Sequence, residues 1–121
     1  MEIKITRRTL AYEVNNDMVH NYYYLVKGRI INDDNTKYKK FTFVIFFDIF
    51  DLGEYYEDKE YFTKKDILNY VDEMIFCSFT DYIKSYDDCS YFYELCRESI
   101  EHYNSILPKQ RELSFMELIR S

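Results

Sequence analysis

The apolar residues of this chain change period partway along. Up to Phe50 they recur at every second position, the spacing of a strand with one buried face; beyond Thr63 they recur every three or four, the spacing of a helix with one buried stripe. A chain patterned in this order is expected to fold as α+β: a three-stranded antiparallel meander, then two packed helices, then a short C-terminal helix, with the helix pair on one face of the sheet.

The first strand alternates Ile3, Ile5, Leu10, Tyr12 and Val14 with polar residues. Asn15-Asn16-Asp17 supplies a turn, because Asn and Asp tolerate positive φ and bond their own backbone. A second strand is expected from Val19 to Ile31, a turn at Asn32-Asp33-Asp34-Asn35, and a third strand from Lys39 to Phe50. That third strand is apolar on both sides, with Phe41, Phe43, Ile45, Phe47 and Ile49 on one face and Val44, Phe46 and Phe50 on the other. It is therefore expected to be central, or covered on both sides.

Thr63, with Asp66 three residues on, reads as an acidic capping box opening a helix that runs to about Tyr86. Its buried stripe is Ile67, Val71, Met74, Ile75, Ser78 and Tyr82, and its opposite face carries Asp66 and Glu73. A second helix from about Asp88 is expected to bury Phe92, Leu95, Cys96, Ile100, Tyr103 and Ile106, and to stop at Pro108. Ser114-Phe115-Met116-Glu117 then starts a short terminal helix. The expected organisation is one domain, 1–121, made of a β-meander (1–50), an acidic connection (51–63), a helix pair (64–107) and a tail with a short helix (108–121).

At 121 residues the chain fits one core, and two glycines with one proline leave no flexible linker. No apolar run approaches the ~20 residues that span a bilayer, and the N-terminus lacks the apolar region of a signal peptide. Cys77, Cys89 and Cys96 are odd in number and not closely spaced, which points to free thiols in a reducing, cytoplasmic setting.

Charge is divided along the chain. Residues 1–47 hold eight Lys/Arg against five Asp/Glu, whereas residues 48–107 hold five Lys/Arg against fifteen Asp/Glu. The total is −6, but fifteen of the twenty-two acids lie in the second part.

Signals for chemistry are sparse, so no catalytic centre, metal or cofactor is expected. There is no glycine-rich phosphate loop. His20 and His102 have no ligand at metal spacing, and Cys89 and Cys96 fit core packing better than a nucleophile paired with His102 or His20. Asp48, Asp51 and Glu54 are the residues a carboxylate-metal nuclease would use. Arg7, Arg8, Lys27, Arg29, Lys37, Lys39 and Lys40, interleaved with Tyr22, Tyr23 and Tyr24, read either as a charge-protected edge or as a single-strand binding sheet. The acidity of the whole chain favours the protected edge, and no direct nucleic-acid binding is expected.

The acidic part carries nine of the fourteen tyrosines, and Tyr is favoured in protein interfaces. Asp51, Glu54, Tyr55, Tyr56, Glu57, Asp58 and Glu60 populate the connection. Glu73, Asp87 and Asp88 follow on the first helix and the interhelix turn. Glu94, Glu98 and Glu101 form a ridge on the second helix. Such a surface complements a basic groove on a protein partner. Other uses are an antitoxin or assembly factor acting through the apolar tail Phe115–Ile119 or through the tyrosine-rich second strand. The aromatic excess also leaves room for a homodimer.

The layout and the charge segregation together resemble the small acidic phage-encoded inhibitors of CRISPR effector nucleases, the anti-CRISPR proteins. Asp51, Glu54, Glu57, Asp58, Glu60, Asp87 and Asp88 are the corresponding acids. The resemblance implies a DNA mimic that occupies the site where an effector reads the duplex flanking its target, working in the cytoplasm of a host bacterial cell.

Overall fold

The computed structural model describes residues 2–16, 19–31, 38–85 and 89–120. Three strands come first: β1 (Glu2–Asn16), β2 (Val19–Ile31) and β3 (Tyr38–Asp48). They pair antiparallel in the order β1-β2-β3, as the alternation predicts. Helices follow: α1 (Ile49–Tyr55), α2 (Lys64–Ser85) and α3 (Ser90–Arg120). The α+β layout of a meander followed by helices is therefore present. Of the expected turn Asn15-Asn16-Asp17, Asn15 and Asn16 still pair in β1, opposite His20 and Val19. Asp17 lies outside the described residues, as does the whole of the expected turn Asn32–Asn35.

Register divides the sheet into two faces. Tyr24 lies opposite Ile45, Val26 opposite Phe43, and Gly28 opposite Phe41, on the face that the helices cover. Tyr12, Tyr23 and Phe46 form one row of the other, outer face. Val26, Val71, Ile75 and Phe92 are wholly excluded from water at the junction of β2, α2 and α3. Phe92 is the hub: it meets Phe41 edge-on at 5.1 Å, Phe79 edge-on at 5.4 Å, and stacks over Phe43 at 5.9 Å. Burying one such ring contributes about 1.5–3 kcal/mol.

β3 is an edge strand in this order, whereas its apolar pattern predicts a strand that is central or covered on both sides. α3 crosses its free edge and reaches only part of its outer face, where Phe46 stays 49% exposed. Phe92 near the start of α3 packs on the inner face, whereas Tyr103 reaches Tyr23 on the outer face at 6.0 Å. Between them, at the free edge, the Val44 N–H donates to Ser99 Oγ at 3.0 Å, and the Ser99 hydroxyl donates to the Cys96 carbonyl at 2.7 Å. A side chain of α3 thus takes a donor that an open edge would leave available to another strand.

Two boundaries differ from the sequence expectation. β3 ends at Asp48 rather than Phe50, and Ile49 and Phe50 open a helix inside the expected connection. The cause is local: Asp48 Oδ1 accepts the Asp51 N–H and Asp51 Oδ2 accepts the Asp48 N–H, each at 2.9 Å, a reciprocal capping box. Leu52, 1% exposed, anchors that short helix. The second difference is at Pro108, which does not end α3; the helix continues to Arg120 and absorbs the expected terminal helix. A proline withdraws one N–H from the ladder, and Lys109, Gln110, Arg111, Glu112 and Leu113 beyond it are all good helix formers.

Candidate interaction surface

The segment joining α1 to α2 is short, and its shape is set by Asp66. Thr63 caps α2 as expected: its N–H donates to Asp66 Oδ2 at 3.0 Å, and the Asp66 N–H donates to Thr63 Oγ1 at 3.2 Å. The other oxygen, Asp66 Oδ1, accepts from Lys59 Nζ at 2.8 Å. Asp66 is buried, contrary to its expected place on the open face of the helix. The Lys59 ammonium, and after it the Thr63 N–H, hold its carboxyl down at about 2.

Tyr56 closes the same latch. Its hydroxyl donates to the Asp66 backbone carbonyl at 2.8 Å, its ring lies 5.1 Å below Lys59 Nζ, and it contacts Phe62 at 5.9 Å. The Lys59 N–H donates to the Tyr56 carbonyl at 3.2 Å, turning the chain between them. Burial pushes the Tyr56 phenol above its usual range.

This latch leaves the remaining acids facing water. Glu54, Glu57, Asp58 and Glu60 are exposed and form no ion pair among the described residues. Lys59, the only cation between Ile49 and Thr63, is turned inward to Asp66. Tyr61 is 86% exposed and Tyr55 42%. Tyr55 is braced edge-on against Tyr56 at 4.8 Å and Tyr70 at 5.2 Å. Lys64 and Lys65 open α2 directly after, also exposed.

The other expected acids are placed differently. Asp51 is half-buried and engaged in the α1 cap. Glu73 is exposed on α2, with the Cys77 thiol donating to it at 3.8 Å. Glu94 and Glu101 both pair with Arg97, through its Nη2 and through its Nη1 at 2.7 Å respectively, so the α3 ridge is partly neutralised within itself. The guanidinium lowers the Glu94 carboxyl. Glu98 is exposed on the same helix. Asp87 and Asp88 lie outside the described residues, as do the side chains of Phe115–Ile119. Asp72 of α2 takes both oxygens to Arg8 of β1, at 2.5 and 2.6 Å, tying helix to sheet.

Several tyrosines of the acidic part serve the core. Tyr70 is buried against Phe47 at 5.0 Å, and Tyr93 is half-buried under Lys39 Nζ, 4.4 Å from its ring centre. Burial, followed by Asp51, Asp48 and Glu54, raises the Tyr70 phenol; burial raises that of Tyr93 to about 12. Sequence reasoning missed the Lys59–Asp66 latch and the exposure of Tyr61. The seven-residue separation of Lys59 and Asp66 is not a helical pairing distance, so nothing in the spacing marks it.

Asp48 and Asp51, two of the three carboxylates a metal nuclease would use, are directed at each other's backbone N–H groups. Among the described residues no group of three or more His, Cys, Asp or Glu converges as metal ligands. Cys96 is buried, with its thiol raised by burial to about 12; Cys89 packs at the core margin and Cys77 is exposed. No helix is long and apolar enough to cross a membrane among the described residues. Comparison with protein-family models, with curated proteins and with solved structures finds no match.

Proposed function

We propose that the protein is a non-catalytic binding module that docks the acidic α1–α2 segment into a basic groove of a nucleic-acid-handling protein, the mode of action of the anti-CRISPR inhibitors it resembles in layout. One observation carries this reading. Lys59 is drawn into Asp66, which leaves Glu54, Glu57, Asp58 and Glu60 uncompensated beside the exposed Tyr55 and Tyr61. A solvated surface normally mixes the two signs of charge. Here the segment's own cation is tied to Asp66 and aromatic rings stand among the acids, the combination that gives an interface both steering and contact area.

The test is binding and inhibition measured against a panel of CRISPR effector nucleases charged with guide RNA. The wild-type protein should compete with target duplex for one of them and lose affinity as salt rises. The double variant Glu57→Lys/Asp58→Lys should lose that competition while remaining folded. Binding that survives about 1 M salt, or that is indifferent to the double charge reversal, would discard the mimic mechanism.

A further inference from the structure

Cations of the outer sheet face stand in two adjacent rows. Lys4, Arg29 and Lys40 lie in register across the three strands, and Arg7 and Lys27 occupy the next row beside Thr42. Like charges set directly opposite each other across strands disfavour a sheet, as Arg7 and Lys27 are here. Lys4, Arg7, Lys27 and Lys40 are exposed and form no ion pair among the described residues. A hollow at this end is lined by Thr6, Lys27, Arg29, Lys40 and Thr42, so that hydroxyls and cations converge with no carboxylate in the lining. By register, the nearest carboxylate on this face among the described residues is Glu2, one row further out. The tyrosines expected to accompany these cations divide: Tyr22 and Tyr24 turn to the covered face, and only Tyr23 shares the outer one.

We propose that the cationic end of the outer face binds the phosphate backbone of a single-stranded nucleic acid. Neighbouring strands set the cations about 4.8 Å apart, and alternate residues along one strand about 6.7 Å apart, a ladder on which successive phosphates can be neutralised. The Thr42 hydroxyl adds a neutral donor to phosphate oxygens, while the Thr6 hydroxyl, which donates to the Lys27 carbonyl at 3.2 Å, fixes β1 against β2 at the rim of the hollow. An aromatic step stands on the same face: Phe46 is 49% exposed, stacks on Tyr23 at 4.7 Å, and lies about 13 Å along β3 from Thr42. Cations followed by an exposed ring form the stacking platform that single strands use. A flat sheet face reaches a backbone and splayed bases but does not enter a duplex groove to read base edges.

Net acidity is screened at working salt, where the Debye length is about 8 Å. The acidic segment starts beyond Asp48, about 26 Å along β3 from Lys40, and its far end returns to β1 through a cation, Lys64, which lines a hollow with Thr6 and Arg7. The helix α3 leaves the cations uncovered, because it passes from Phe41 at Phe92 to Tyr23 at Tyr103 and so runs away from that end. The inference is independent of the acidic-segment reading, since the two surfaces share no residue.

The full-length protein is titrated into fluorescently labelled oligo(dT) and oligo(U) of about 12 nucleotides, and anisotropy is read between about 50 and 200 mM salt. Saturable binding is expected, with a log–log salt slope of about −2, as three phosphate contacts give on a single strand. Lys27→Glu/Lys40→Glu should weaken it by about tenfold or more. Glu57→Lys/Asp58→Lys should not weaken it. Should the reversed lysines impair folding, as judged by circular dichroism, Lys27→Gln/Lys40→Gln serves in their place. No binding at low salt, or undiminished binding by the lysine variants, would overturn the proposal. Equal affinity for a duplex of the same length, or displacement by polyglutamate as readily as by oligonucleotide, would overturn the assignment to single strands.

Discussion

At the residue scale, Gly28 and Asp66 show how single side chains set this structure. A Cβ at Gly28 would stand 2.6 Å from the Phe41 ring and closer still to the Lys4 carbonyl. The ring of β3 lies across a position that β2 leaves empty, which is why a glycine is tolerated in the middle strand of the sheet. Gly28→Ala should therefore destabilise by about 1–3 kcal/mol, read as a lower denaturant midpoint at unchanged slope. Asp66 works through charge. Its folded pKa of about 2 lies below its ordinary 3.8, so its contribution is in place above about pH 4 and is lost as pH falls toward 2. Unfolding measured across that window should show an acid-side loss of stability that is smaller in Asp66→Asn. In Lys59→Met the loss should be smaller and complete at a higher pH, because the ammonium that does most to lower the Asp66 carboxyl has gone.

At the element scale, the decisive contact is that of α3 with the free edge of β3. Ser99→Ala leaves the Val44 N–H facing apolar helix surface and should cost about 1–3 kcal/mol. The Val44 amide should then exchange faster with solvent than its neighbours on β3. Most element types were legible beforehand, because the apolar period doubles as an instruction for which face is buried: Val71, Ile75, Phe92 and Cys96 were marked by spacing alone and are all buried. The helix α1 was not legible. Its signal is a pair of aspartates three apart, Asp48 and Asp51, in a stretch rich in acid, and only the geometry shows that each bonds the other's backbone. Pro108 misled for the opposite reason, since a strong local stop signal was outweighed by helix formers on both sides.

At the scale of the whole molecule, the exposed acids of the α1–α2 segment and the cation rows of the outer sheet face are two surfaces that share no residue. The acids of the α1–α2 segment do not hold the fold together: reversing Glu54, Glu57, Asp58 or Glu60 singly to Lys should change unfolding free energy by no more than about 0.5 kcal/mol. Phe92→Ala, by contrast, should cost about 3–5 kcal/mol in the same measurement. That contrast separates a surface available for binding from one that stabilises. Within the acidic part, Asp51, Asp66, Asp72, Glu94 and Glu101 all have partners within the protein, whereas Glu54, Glu57, Asp58, Glu60 and Glu98 face water with no ion pair among the described residues.

By itself the sequence determined the order of strands and helices, the buried stripe of each helix, and the imbalance of charge along the chain. These follow from periodicity and composition, which act locally. Tertiary structure decided which acids are free and which are paired, that α3 would seal an edge strand, and that the cations of three separate strands would meet in two rows on one face. Those outcomes depend on register and on contacts between residues distant in sequence, such as Val44 with Ser99 and Arg8 with Asp72. No local pattern encodes them, because each partner meets its counterpart only after the sheet has formed and the helices have packed against it.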